Sequence, residues 1–169
     1  MIIRQATIAE LPQVMTIIEG ARQVLKEAGS PQWQNGYGPD EGSLLNSIKQ
    51  GVCYVADIAG DLVATACLIP GVDPVYTAIQ EGQWQGTEPY LSIHRLAVAK
   101  DCGGKGIGKQ FLPALVTIGK ELGFQDLRID TYPKNQRMIR VIEDAGFTYR
   151  GRVYFPIPDG ERVAYQIVV

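Results

Sequence analysis

Four glycines fall within six residues, Gly103, Gly104, Gly106 and Gly108, interleaved with Lys105 and Ile107 and followed by Lys109. An apolar run over residues 90–99 leads into them, and an apolar stripe at helical spacing leads out. A turn that opens a helix leaves several backbone N–H groups pointing outward at the positive end of the helix dipole. Glycine, lacking a Cβ, lets a ligand come close to that main chain. The chemistry such a turn can do is anion binding, most naturally of phosphate or diphosphate.

Three cofactor classes use turns of this kind. The dinucleotide pattern G-x-G-x-x-G takes Gly104 and Gly106 but meets Lys109 where its third glycine belongs. The nucleotide P-loop G-x-x-x-x-G-K fits residues 103–109, but Gln110 stands where a Ser or Thr hydroxyl should hold magnesium. Coenzyme A is the third class.

Other residues could act on a substrate. His94 is the only histidine, and imidazole is the side chain best suited to exchange a proton near neutral pH. It serves as a general base or, alternatively, packs structurally at a sheet edge. Trp33 and Tyr37 lie in a polar loop and offer an aromatic wall to a cationic amine. Trp84 and Glu88 are candidates for an opposite wall. Cys102, next to the glycine turn, is a thiol that a helix N-terminus could acidify. Arg95, Lys100, Lys105 and Lys109 could steer an anion.

These residues need elements to hold them. Residues 2–5 read as a strand. Thr7 and Glu10 form a capping box for a helix carrying Ile8, Leu11, Met15, Ile18 and Leu25 at helical spacing. Residues 40–50 read as a second helix. Residues 52–58 and 62–69 flank Ala59-Gly60-Asp61 as a hairpin. A long connection, 70–89, has a helical turn near 75–79. The strand 90–99 precedes the glycine turn, and a helix follows to about Leu122 on Ile107, Phe111, Leu115, Ile118 and Leu122, with a kink expected at Pro113. A strand at 126–130, a helix at 136–145 capped by Asn135 and Gly146, and strands at 147–155 and 162–168 close the chain.

Composition narrows the rest. A charged fraction of 20% and an apolar fraction of 46% suit an ordinary globular protein of one domain. A net charge of -2 with no basic block argues against a nucleic-acid partner. The three cysteines form no C-x-x-C pair, so free thiols in a reducing compartment are expected, and one histidine leaves too few ligands for a zinc site. No signal peptide and no apolar run of about 20 residues is present, so a cytoplasmic location without membrane partners is expected.

The glycine turn and a later stretch together resemble the GCN5-related N-acetyltransferase (GNAT) superfamily. Its diphosphate motif is Gln/Arg-x-x-Gly-x-Gly/Ala. Gly106 and Gly108 take the two small positions, and Gly103 stands where Gln or Arg is usual. In the later stretch Asn135, Gly146 and Phe147 match, while Met138 replaces a common Ala. The order of elements is similar over nearly the whole chain. The resemblance implies an α/β (α+β) fold: a central, mixed, mostly antiparallel twisted sheet of six to seven strands, flanked by about four helices, in one domain over residues 1–169.

It also implies acetyl-CoA as co-substrate and no metal. Leu96, Ala97 and Val98 would pair with the pantetheine arm where strand 93–99 splays from strand 126–131. Gly103, Gly104, Lys105, Gly106, Ile107, Gly108 and Lys109 would hold the diphosphate, and Asn135 would touch the pantetheine. The Val98 N–H would serve as oxyanion donor and His94 as base for direct attack by an amine in a ternary complex. Trp33, Tyr37 and Tyr132 would border the acceptor, a small-molecule or peptide amine. Homodimers are frequent in that family. Better-known members place a general-acid tyrosine where this chain has Ile142, so Tyr132, Tyr149 and Tyr154 become substitutes. A silent acyl-CoA-binding module and a P-loop phosphotransferase remain as alternatives.

Overall fold

A computed structural model describes residues 1–169. Seven strands are ordered β1-β2-β3-β4-β5-β7-β6 in one open sheet, with five α-helices. The chain divides into two compact units, Met1–Leu68 with Arg95–Phe111 and Ile69–His94 with Leu112–Val169.

The first unit opens with β1 (Ile2–Gln5). Thr7 then caps a single 3-10 turn, where Glu10 reaches back to accept the Thr7 N–H at 2.9 Å. Helix α1 (Leu11–Glu27) starts only after that turn, which places Pro12 in its first turn, where a missing N–H costs nothing. The buried stripe of α1 is Leu11, Val14, Ile17 and Ile18. Ile8, expected on that stripe, lies outside the helix and is exposed. Asp40 caps α2 (Glu41–Lys49) by accepting the Ser43 N–H at 2.8 Å. Strands β2 (Cys53–Ile58) and β3 (Asp61–Pro70) form the expected hairpin, turning through Ala59 and Gly60 at φ 54° and 93°. Two left-handed residues between paired strands suit the strand twist.

The second unit contains α3 (Pro74–Thr77), the first part of β4 (Tyr90–Val98), most of α4 (Ile107–Glu121), β5 (Asp126–Thr131), α5 (Gln136–Asp144), β6 (Thr148–Tyr154) and β7 (Glu161–Val168). β4 and β5 are parallel, with Tyr90 to Ile93 opposite Asp126 to Ile129. β5 pairs antiparallel with β7, and β7 with β6. Alternation gives the two faces different chemistry. Leu91, Ile93, Leu127 and Ile129 make one face, all buried. Helix α4 lies close on it: a Cβ at Gly119 would stand 2.7 Å from Leu127 Cδ2 and 3.2 Å from Leu91 Cδ1. Leu122, expected at the end of the α4 stripe, is exposed, because Gly123 at φ 95° turns the chain away there. The helix runs on through Pro113, whose ring is exposed.

The opposite face is polar yet also covered. Arg128 donates twice to the Asp126 carboxylate, at 2.8 and 3.1 Å, and Gln166 joins them at 2.9 Å. The Arg128 guanidinium stands 3.8 Å from the centre of the Tyr90 ring and 4.5 Å from that of Trp84. Tyr76, fully buried in α3, packs with Tyr90, Val153, Ala164 and Trp84. No helix is long and apolar enough to cross a membrane.

Candidate active site

Between β4 and α4 the chain makes a short 3-10 turn at Lys100–Cys102 and then the glycine turn. Gly104 and Gly106 take φ 78° and 74°, and an added Cβ at either would meet no atom within 4 Å. The turn is therefore both left-handed and open. The first amide to return into the helix is that of Gln110, which donates to the Gly106 carbonyl at 3.3 Å. Helical geometry leaves the N–H groups of Gly106, Ile107 and Gly108, ahead of it, without a carbonyl one turn back. Their dipoles align with the α4 axis, and the local field suits an anion.

β4 carries a feature that the sequence pattern did not reveal. Arg95 has φ 58°, a left-handed conformation that a residue with a Cβ rarely adopts in a strand. The burial alternation fails there: His94, Arg95 and Leu96 are all half-buried, and only Ala97 is fully buried. A left-handed residue within a strand breaks the regular alternation of side chains. The Arg95 guanidinium donates to Ser47 Oγ at 3.0 Å. This tie within the first unit anchors the Arg95 side chain. Lys100 is likewise paired, with Glu27 at 3.3 Å.

His94 sits in a constellation drawn from three segments of the second unit. Its Nε2 lies 3.0 Å from Asp73 Oδ2 and its Nδ1 lies 4.0 Å from Asp130 Oδ2. Tyr76 donates its hydroxyl to Asp130 at 2.6 Å, and its ring centre is 5.6 Å from that of His94. Asp73 is held by its own cap on α3, accepting the Val75 N–H at 2.9 Å, while its N–H donates to the Tyr90 hydroxyl at 2.7 Å. Burial pushes the Asp73 carboxyl up, but the His94 hydrogen bond and charge, with the Val75 and Tyr76 amides, bring it below its ordinary value. Burial dominates at Asp130 and raises its carboxyl, although His94 and Tyr76 oppose the rise. The Tyr76 phenol is driven well up by burial and by the Asp130 charge. A histidine beside one ionised carboxylate and one whose proton is held more tightly is equipped to exchange a proton.

Asp73 and Tyr76 were missed as site residues. They belong to a long connection whose spacing says nothing about where it packs. The signal that existed was an Asp-Pro pair of the kind that starts a helical turn.

Other expected residues divide. Asn135 caps α5, its Oδ1 accepting the Met138 N–H at 3.2 Å. Trp33 is half-buried at φ 65°, and its carbonyl accepts from Arg22 at 3.1 Å; Tyr37 is exposed. Trp84, weighed as an acceptor wall, donates its indole N–H to the Tyr76 carbonyl at 2.8 Å and packs on Tyr76. Tyr132 lies under the Arg162 guanidinium at 5.7 Å. Tyr149 and Tyr154 are exposed on β6, and Ile142 is fully buried. The Cys102 thiol is raised, not acidified, by partial burial and by Asp101 3.7 Å away. It ends the 3-10 turn and does not sit at the head of α4. Cys53 and Cys67 are buried opposite each other on β2 and β3 as free thiols.

The model of the acetyltransferase (GNAT) family matches residues 21–147. An acetyltransferase of the GNAT family from Streptococcus agalactiae is 35% identical, with 99% of this chain and 95% of that one covered and a TM-score of 0.90. Ribosomal-protein-alanine N-acetyltransferase from Brucella melitensis is 21% identical over 100% of both chains, with a TM-score of 0.72. The yncA protein of Salmonella typhimurium, solved with its cofactor acetyl-CoA, is 18% identical over 99% of this chain and 92% of that one, with a TM-score of 0.67. The last two likenesses are of fold alone. No curated protein matches the chain.

Proposed function

Because the chain belongs to the acetyltransferase (GNAT) family, whose model spans residues 21–147, we propose that it moves an acetyl group from acetyl-CoA to a primary amine by direct attack in a ternary complex. The observation that carries this reading is the open, left-handed turn at Gly104 and Gly106 heading α4. Its aligned amides fit a diphosphate, so Gly103 to Lys109 would hold that part of the cofactor. Leu96, Ala97 and Val98, which follow the left-handed Arg95, would offer main chain to the pantetheine arm. Acetyl-CoA supplies an activated acyl thioester. The Val98 N–H would donate to the carbonyl oxygen, where charge develops.

An alkylammonium has a reference pKa near ~10.4 and must lose a proton before it can attack. His94, oriented by Asp73 at 3.0 Å, is the acceptor for that proton. A leaving thiol of pKa about 8.5 departs tolerably as thiolate. This suits a chain with a fully buried isoleucine at position 142. The likeness in fold to an alanine N-acetyltransferase supports an amine acceptor. Trp33, Tyr37 and Tyr132 are proposed at its border.

The buried Ile142 also favours a second reading, a silent acyl-CoA-binding module of the same fold. The family match leaves the P-loop reading without support. Coenzyme A release from acetyl-CoA with mixed amines, in native protein and in His94→Ala, tests the proposal. Turnover in native protein, reduced about 100-fold in the variant, is expected. Binding of acetyl-CoA without any turnover would establish the silent module instead.

A further inference from the structure

Two arginines of the second unit, Arg128 and Arg162, are equally buried, each 6% exposed. Arg128 has its counter-charge, the doubly bonded Asp126. Arg162 has none. Its Nη1 donates to the main-chain carbonyls of Asp159 and Glu161, at 2.8 and 2.7 Å, and its guanidinium stands 5.7 Å from the ring centres of Tyr132 and Phe155. No carboxylate makes an ion pair with it, and its Nε and Nη2 make no hydrogen bond to the protein. Burial pulls this guanidinium below its ordinary value more strongly than Asp130, Tyr132 and Asp159 pull it up. Neither atom is sealed off from solvent, so both donor positions are open to an anion.

Its place in the sheet says what that anion belongs to. The register Asp130 opposite Ala164 and Thr131 opposite Val163 continues to Tyr132 opposite Arg162. Asp130, Tyr132 and Arg162 therefore share the polar face of the sheet. The parallel register Ile93 opposite Ile129 brings His94 beside Asp130 on that same face. His94 and Asp130 are neighbours across β4 and β5, and Arg162 lies diagonal to them on β7, one same-face position beyond Ala164. Two strand spacings across and two residues along put the α-carbons of His94 and Arg162 roughly 12 Å apart.

We propose that the acceptor is an amino acid or a similar small zwitterion, with Arg162 binding its carboxylate while its amine faces His94. Asp73 makes the histidine end negative, and Arg162 makes the other end positive. A guanidinium whose Nη1 is already tied down presents its remaining N–H groups in the fork that matches a carboxylate. The inference rests on the acetyl-transfer reading and adds the class of acceptor.

The test uses acceptors in pairs, each amino acid beside the amine that lacks its carboxylate. Coenzyme A release is followed in native protein, Arg162→Met and Arg162→Lys. Native kcat/KM should favour the carboxylate member on the order of 100-fold. Arg162→Met should erase the preference through the acceptor KM, Arg162→Lys should keep part of it, and the acetyl-CoA KM should not move. A preference for the amine without the carboxylate, or an unchanged preference in a folded Arg162→Met, would overturn the inference. Should the variants not fold, native protein decides. N-acetylated amino acids should compete with the acceptor where their neutral amides do not, and equal inhibition by both would count against Arg162. Turnover of plain amines but of no carboxylate-bearing amine would defeat this inference alone, whereas failure to bind acetyl-CoA, or binding it with no turnover of any amine, would defeat the acetyl-transfer reading itself.

Discussion

Replacing Gly106 with valine separates the backbone demand of the glycine turn from its ligand chemistry. At φ 74° a side chain is strained, and the left-handed conformation costs an L-residue about 1–2 kcal/mol. Nothing in the protein lies within 4 Å of the added Cβ, so strain is the main cost to stability. For a chain of this length that corresponds to a fall in Tm of about 2–8 °C. Gly60, in the β2–β3 turn at φ 93° and equally uncrowded, provides the control. Gly60→Val should lose similar stability through the same strain while leaving the residues of the turn that heads α4 unchanged.

The two variants should differ toward the cofactor. A valine side chain at position 106 stands in the space a diphosphate must enter to reach the amides. Losing one charge-assisted hydrogen bond costs about 1.5–3 kcal/mol. That is roughly a 10- to 150-fold rise in Kd. Calorimetric titration with acetyl-CoA, below the Tm of both variants, reads the difference. Equal affinities for Gly106→Val and Gly60→Val would refute the assignment of this turn as the diphosphate site.

Three further outcomes follow from the geometry. Asp73→Asn keeps the cap on α3 but removes the charge beside His94, so kcat should fall about 10-fold or more with the acetyl-CoA KM unchanged; an unaltered kcat would remove His94 from the proton path. Ile142→Tyr puts a phenol into a fully buried site and should cost about 1–3 kcal/mol in denaturant unfolding without raising turnover; a faster enzyme would show that the missing acid limits the rate. Glu10 has its carboxyl lowered to about 2, chiefly by the Arg4 hydrogen bond, from an ordinary 4.5. A depressed folded value means that the stability it adds is full above pH 4.5 and is lost as pH falls toward 2. Solvent screening limits that share to about 1 kcal/mol. Glu10→Gln should therefore lower Tm at pH 7 and match native protein near pH 2.

Much was written in local pattern. The capping box at Thr7, the second helix, the Ala59-Gly60 hairpin turn, the Asn135 cap and the glycine turn all came out where their residues indicated. Each depends on neighbours within a few positions, and backbone preference acts over that range. Ile8 and Leu122 failed because periodicity alone does not say where a helix begins or ends.

The sequence by itself determined the elements, the open turn at the head of α4 and the family, because these follow from main-chain chemistry and residue order. Only the tertiary structure decided which charges meet. Asp73, Tyr76 and Asp130 come from a loop, a helix turn and a strand, and they converge on His94 through strand register and packing. The left-handed Arg95 and the buried Arg162 are invisible to composition for the same reason. Arginine in a strand reads as an exposed charge until folding buries it, and burial is a property of what covers a residue, which no spacing along the chain encodes.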